Sequence, residues 1–225
     1  MLNLRKVENL IFDLDGVILS SVQNHLYAWS KAFMHFGIDF QKQDYEKLCD
    51  GIPRNVAIKN VLNYFNLEYN EILSNKIAEV KNNFFLESIR LNAPIVFEDF
   101  RRFISQDTIK SKKLFVCSSS TMAILLLDLS ELSHRFEFIV DGNLTKKLKM
   151  LPKPAPDPYL YIVNKFNLNL YSTLAFEDSY AGVQSIMSAK IHCIWMNRAD
   201  LADTNYTKNL NKYKTFDDFS KSLGL

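Results

Sequence analysis

Short apolar runs at about residues 8–14, Lys113–Cys117, Glu137–Val140, Thr173–Phe176 and His192–Met196 punctuate this chain. The later runs are separated by segments whose apolar residues recur at helical spacing. Strands that alternate with helices pair in parallel, because each return to the same sheet edge needs a crossover. A doubly wound α/β sheet of Rossmann-like form, with helices on both faces, is therefore predicted.

The stretch from about Ser20 to Leu91 departs from that rhythm. Leu26, Trp29, Phe33 and Phe36, then Ala57, Ile58, Val61, Leu62 and Phe65, then Ile72, Ile77, Val80, Phe84 and Phe85 fall at helical spacing with almost no strand signal. Asn92-Ala93-Pro94 reads as a linker closing this block. The expected organisation is an α/β core formed by residues 1–19 and 92–225, with a helical domain of residues 20–91 inserted after the first strand.

A chain of 225 residues with 48% hydrophobic content can bury a large core, and a net charge of +2 provides no global field for nucleic acid or a membrane surface. Neither is expected as a partner. The basic clusters Lys110, Lys112, Lys113 and Lys146, Lys147, Lys149 read as solvated loops. Cys49, Cys117 and Cys193 are odd in number and unclustered, which suggests neither a disulfide framework nor a zinc site. With unpaired cysteines, no apolar stretch of membrane-spanning length and no signal-peptide pattern, a cytoplasmic location is expected, and a monomer is expected over an oligomer.

The carboxyl ends of the apolar runs carry the polar chemistry: Asp13 and Asp15, then Ser118, Ser119 and Ser120, then Glu177 and Asp178. In an open parallel sheet, ligands bind beyond those ends near the topological switch point, so these clusters should converge. Gly16 supplies the backbone freedom for a tight turn after Asp15. Lys153 lies in Leu-Pro-Lys-Pro-Ala-Pro-Asp-Pro, where prolines restrict where a loop lysine can point. Either acid pair alone would serve as a helix cap or turn, Ser118 as an N-cap and Lys153 as a solvated surface residue. Taken together, buried carboxylates call for a cation, a fixed ammonium and hydroxyl donors. That is the equipment for attack of a carboxylate on a phosphate ester: Asp13 as nucleophile, Asp15 as proton donor and later base, Ser118 and Lys153 on the phosphoryl oxygens, and Mg²⁺ among the acids.

Asp-Leu-Asp-Gly-Val-Ile at residues 13–18, the strand ending in Ser118, Lys153-Pro-Ala-Pro-Asp-Pro and Glu177-Asp-Ser-Tyr-Ala-Gly-Val resemble the four motifs of the haloacid dehalogenase superfamily. The match covers nearly the whole chain. It is nearest the branch of β-phosphoglucomutase and sugar-phosphate phosphatases, whose helical cap follows the first strand. The resemblance implies Asp13, Asp15, Ser118 and Lys153 as catalytic residues. It implies Asp13, Asp15 and Asp178 as Mg²⁺ ligands, with Glu177 acting through a water. In the cap it implies His25, Arg54 of the Gly51-Ile-Pro-Arg loop, and the pair Lys81-Asn82 as substrate contacts. Ser119 joins them from the core.

Two positions depart from the family pattern. Ser20 stands where an acidic residue is usual near the hinge, and Met150-Leu151-Pro152 replaces a glycine before Lys153, implying a different loop path. The expected activity is a Mg²⁺-dependent phosphatase acting on a small phosphorylated metabolite through an aspartyl-phosphate. A β-phosphoglucomutase-like mutase, suggested by His25, Arg54 and Lys81-Asn82, and a catalytically silent binding or regulatory protein are the alternatives.

Overall fold

The computed structural model describes residues 3–49, 52 and 54–224. In chain order the elements are β1 (Asn9–Phe12), β2 (Leu19–Ser20), α1 (Val22–His35), α2 (Lys42–Leu48), α3 (Arg54–Tyr64), α4 (Glu71–Leu91), β3 (Ile95–Val96), α5 (Glu98–Ser105), α6 (Asp107–Lys110), β4 (Lys113–Cys117), α7 (Ala123–Leu129), β5 (Phe138–Val140), α8 (Gly142–Lys147), α9 (Asp157–Lys165), β6 (Thr173–Glu177), α10 (Tyr180–Ser188), β7 (His192–Met196), β8 (Asn211–Tyr213) and α11 (Phe216–Ser222). They group into two compact units, one of residues 1–20 with 95–225 and one of residues 21–94.

The first unit is built on a six-stranded sheet in the order β5-β4-β1-β6-β7-β8, and every pairing is parallel. From β1 the chain winds out to β5 in one direction and then returns to add β6, β7 and β8 on the other side. The doubly wound sheet expected from the sequence is therefore present. Its switch point lies at β1, between β4 and β6. All four residues of β1 and all five of β6 are buried. Burial on both faces explains why these strands read as unbroken apolar runs rather than alternating ones.

Alternate residues supply the two faces. Phe12 and Phe176 stack at 5.0 Å between ring centroids and pack with Phe100, Phe103 and Phe216. On the opposite face Ile11, Phe115, Ala175 and Trp195 pack against Tyr159, Ile162, Val183 and Ile186 of α9 and α10. A short antiparallel ribbon of β2 and β3 joins Leu19 to Val96 and Ser20 to Ile95, where the chain leaves for the helical unit and returns from it. The ribbon and β8 leave no mark in the sequence pattern, because segments of two or three residues have no usable periodicity.

The second unit consists of α1–α4 around Trp29, Phe33, Ile58, Leu62 and Ile77. On α4 the expected apolar stripe needs correction: Ile72 is 71% exposed, whereas the buried face includes Ile77, Lys81, Phe85 and Ile89. Ile72 sits in the first turn of α4. The basic cluster at 110–113 is likewise not wholly solvated, since Lys112 donates to the carbonyls of Leu4 and Val7 at 2.8 and 2.5 Å. Among the described residues, no helix is long and apolar enough to cross a membrane.

Candidate active site

Register brings the acidic residues together. Phe12 pairs with Val116 on one side and Phe176 on the other, so Asp13, Cys117 and Glu177 emerge side by side at the carboxyl end of the sheet. The Asp13 N–H still donates to the Phe176 carbonyl at 2.9 Å, which makes its backbone an extension of the strand. Ser118 follows on the adjacent strand, its N–H bonded to the Val140 carbonyl at 2.8 Å and its Oγ accepting the Ser120 N–H at 3.1 Å. Ser119 is exposed, and its carbonyl packs so tightly on Gly142 that a Cβ there would stand 2.5 Å from the oxygen.

Lys153 reaches this point from the proline-rich loop. Its Nζ donates to Asp13 Oδ1 at 2.6 Å, Glu177 Oε2 at 2.8 Å and the Cys117 carbonyl at 2.9 Å. With three acceptors for three protons and a side chain only 6% exposed, this ammonium is fully committed. The loop is held locally. Leu151 N–H donates to Asp157 Oδ2 at 3.0 Å, Ala155 N–H to the Pro152 carbonyl at 2.9 Å, and Ser185 Oγ on α10 to the Ala155 carbonyl at 2.6 Å. The Lys153–Pro154 peptide bond is cis.

Glu177 is anchored by residues that sequence reasoning missed. Tyr159 donates its phenol to Oε2 at 2.9 Å, and Ser179 donates its hydroxyl to Oε1 at 2.7 Å while accepting the Gly182 N–H that begins α10. Gly182 lies directly beneath: an added Cβ would stand 1.9 Å from the Glu177 carboxyl carbon. The available signal was the run Lys153-to-Tyr159, which places a phenol on the first turns of α9 facing the same strand end. Asp178 differs sharply from its neighbour. Its backbone carbonyl accepts the Trp195 indole N–H at 3.1 Å, but among the described residues no hydrogen bond or ion pair reaches its carboxylate. That carboxylate lies against the backbone of Gly16, where φ is +79° and a Cβ would fall 1.9 Å from Oδ2. Asp15, half-buried, bridges to Leu19 in the same turn.

The electrostatics follow from this crowding of buried acids. Burial, followed by the Glu177 charge, pushes Asp13 up to about 7 against the pull of Lys153. Burial, then Glu177 and Asp13, push Asp178 up to about 9. Burial also lowers Lys153, but the charges of Asp13 and Glu177 outweigh it and its pKa ends above the ordinary lysine value. One ammonium thus faces an excess of carboxylates. Asp13, Glu177 and Asp178 offer oxygens that all lie within 4.8 Å of one another. An all-oxygen donor set of this charge suits a hard divalent cation, and a bound cation would reverse the upward shifts. Because Glu177 already accepts from Lys153, Tyr159 and Ser179, Asp13 and Asp178 are the better placed to bind such an ion directly.

In the helical unit, Lys81 Nζ lies 2.9 Å from His25 Nδ1, and the His25 ring stacks on Phe85 at 4.5 Å. Burial, then the Lys81 and Arg54 charges, hold the His25 pKa down to about 3. His25 is therefore neutral at ordinary pH. With Lys81 donating to Nδ1, the ring proton sits on Nε2. Arg54 is exposed at the start of α3 and Asn82 is half-buried beside Lys81 on α4. Gly51 and Pro53 of the expected loop lie outside the described residues.

Asp13 and Lys153, paired and buried at the switch point of a doubly wound sheet with Glu177 and Asp178 on the neighbouring strand end, form an acid–ammonium cluster where such a fold binds its ligands. The model of the haloacid dehalogenase-like hydrolase family matches residues 7–190, and the chain belongs to that family. Relatives include β-phosphoglucomutase of Bacillus subtilis, 27% identical over 82% of this chain and 81% of its own length. Fructose-1-phosphate phosphatase YqaB of Escherichia coli is 26% identical over 82% of this chain and 94% of its own. Among solved structures, β-phosphoglucomutase of Clostridium difficile superimposes with a TM-score of 0.71 at 26% identity, covering 94% of this chain and 92% of that one.

Proposed function

We propose that this enzyme is a Mg²⁺-dependent phosphatase that hydrolyses a small phosphorylated metabolite, a sugar phosphate by preference. The reading is carried by one observation: the Asp13 carboxylate, at the end of the central strand, is gripped by the Lys153 ammonium at 2.6 Å beside two further acids. Asp13 forms a bond to phosphorus as the ester oxygen departs, and Asp15 protonates that oxygen to release the alcohol. Asp15 then takes a proton from water, whose oxygen displaces the Asp13 carboxylate and frees inorganic phosphate. Lys153 and the Ser118 hydroxyl stabilise the charge on the transferring group. Mg²⁺ held by Asp13, Asp178 and the Asp15 backbone carbonyl supplies further positive charge there when bound, with Glu177 steadied by Tyr159 and Ser179 behind it.

The helical unit serves as the cap. His25, as a neutral Nε2–H donor, with Arg54, Lys81 and Asn82, selects the part of the substrate remote from phosphorus, and Ser119 contributes from the core. Sugar-phosphate chemistry is supported by relatives that carry such substrates in their names. The test is a panel of phosphate esters with Mg²⁺. Phosphate release by the native enzyme, with a loss of at least about 1000-fold in Asp13→Asn, is expected for removal of a nucleophile. Full turnover in Asp13→Asn would refute the mechanism. Conversion of β-glucose 1-phosphate to glucose 6-phosphate without free phosphate would transfer the reading to a mutase, the activity for which the Bacillus subtilis relative and the Clostridium difficile protein are named.

A further inference from the structure

Outside the acids and Lys153, one cation in the core unit is tied to several segments at once. Arg198, in the turn after β7, donates from Nε to the Gly16 carbonyl at 3.1 Å, from Nη2 to Asp99 Oδ2 at 2.8 Å and from Nη1 to the Lys214 carbonyl at 3.2 Å. Its guanidinium carbon also lies 4.0 Å from the centroid of the Phe97 ring. These contacts differ in sequence position but share a purpose. Gly16 belongs to the turn that follows Asp13 and Asp15. Phe97 and Asp99 begin the chain just after β3, and the Phe97 N–H donates to the Ile18 carbonyl at 3.0 Å. Asp99 Oδ2 in turn accepts the Phe216 N–H at 2.7 Å as well, so that oxygen is held from two sides.

We infer that Arg198 is a positioning residue that sets the catalytic turn against Asp178. The physical chain is short. The Gly16 N–H is bonded to the Leu19 carbonyl at 2.8 Å and the Gly16 carbonyl to Arg198, so this residue's backbone is clamped on both sides. The Cα of Gly16 is the surface on which the Asp178 carboxylate rests, with no room for even a methyl group between them. Moving the Gly16 backbone therefore moves Asp15 and Asp178 relative to each other. A planar fork with fixed donor directions can satisfy a backbone carbonyl, a carboxylate and a second carbonyl while stacking on an aromatic ring, whereas an ammonium on a flexible stem cannot. Arg198 touches neither phosphorus nor the cation; it acts through Gly16.

The inference rests on the metal-dependent reading above, and its test separates the two. Arg198→Ala and Arg198→Lys, each in a Trp29→Phe background, leave Trp195 as the single indole, and its bond to the Asp178 carbonyl makes its emission a reporter of cation binding. Titration with Mg²⁺ alone should show affinity weakened by about 10- to 100-fold, the usual cost of disturbing groups that orient metal ligands. With substrate, kcat should fall by a similar factor, about 100-fold at most, with KM within about twofold, because remote substrate contacts are untouched. Millimolar guanidinium should restore much of the loss in Arg198→Ala and none in Arg198→Lys, where the ammonium blocks the space. Arg102→Met, which breaks a surface ion pair from α5 to α11 at 2.6 Å without touching Gly16, serves as the stability control. If the Arg198 variants lower only the unfolding midpoint, as that control does, with Mg²⁺ affinity unchanged, the positioning role is wrong. The Mg²⁺ titration needs no turnover, so failure of the phosphatase assay would leave this result standing on its own.

Discussion

Replacing Lys153 by Met tests whether the site is held together by a charge balance rather than by packing. Methionine matches the stem but removes the ammonium that bonds to Asp13, Glu177 and the Cys117 carbonyl at 2.6, 2.8 and 2.9 Å. Breaking a buried ion pair from one side costs about 3–5 kcal/mol, because the partner charges remain buried without compensation. For a chain of this size that corresponds to a fall of about 10 °C in the unfolding midpoint. The cost should depend on pH in a definite direction. Asp13 already has its folded-state pKa raised to about 7 from 3.8, so the folded protein keeps a proton that the unfolded chain releases as pH rises through that window. Stability of the metal-free protein contributed by this group is accordingly lost between those values. Without Lys153 the Asp13 pKa rises further and the loss extends to higher pH. Urea unfolding followed at Trp195 in a Trp29→Phe background, with the metal chelated, should therefore show a penalty larger at a pH of about 8 than at about 5. Saturating Mg²⁺ should recover part of it at the higher pH. An equal penalty at both pH values, or one below about 1 kcal/mol at the higher, would refute the charge-balance account.

Two other outcomes follow from the geometry. Gly182→Ala inserts a Cβ 1.9 Å from the Glu177 carboxyl carbon, which cannot retreat because Lys153, Tyr159 and Ser179 hold it; activity should fall by at least about tenfold and stability by about 1–3 kcal/mol, whereas Gly37→Ala, with nothing within 4 Å but a φ of +75°, should cost about 1–2 kcal/mol of stability and leave activity unchanged. The His25 imidazole should stay neutral in carbon-13 or nitrogen-15 NMR titration down to about pH 4, since its pKa is lowered to about 3; its contribution to stability is lost only as pH falls below 6.5 toward that value, and a midpoint near 6.5 would contradict its burial beside Lys81.

Much of the fold was legible because its strands are buried on both faces. Such strands advertise themselves as apolar runs, and β4 and β7 begin and end at the positions their composition suggests. The ribbon of β2 and β3 and the edge strand β8 carry no such signal, being two or three residues long and partly exposed. On α4 the stripe drawn through Ile72 followed residue type, whereas packing placed Lys81 inside and Ile72 in solvent. A lysine can occupy such a position when its ammonium stands over the rings of Trp29 and Phe85, 5.5 and 4.5 Å from their centroids, and meets His25.

The sequence alone determined which residues end the central strands, because chemistry-bearing side chains at the carboxyl ends of apolar runs have one common destination in a parallel sheet. It could equally pair Asp13, Glu177, Asp178 and Lys153 as a set. Only the tertiary structure decided how the members differ. Strand register set Glu177 beside Asp13, and Tyr159 of α9 and Ser179, the N-cap of α10, occupied its oxygens and left the Asp178 carboxylate without a hydrogen-bonding partner among the described residues. The close approach of Gly16 to Asp178, and the reach of Arg198 to the other side of Gly16 across 182 positions of chain, depend on distances that no local pattern encodes. Side-chain identity specifies what a group can do; its protonation, partners and aim are collective properties of the elements packed around it.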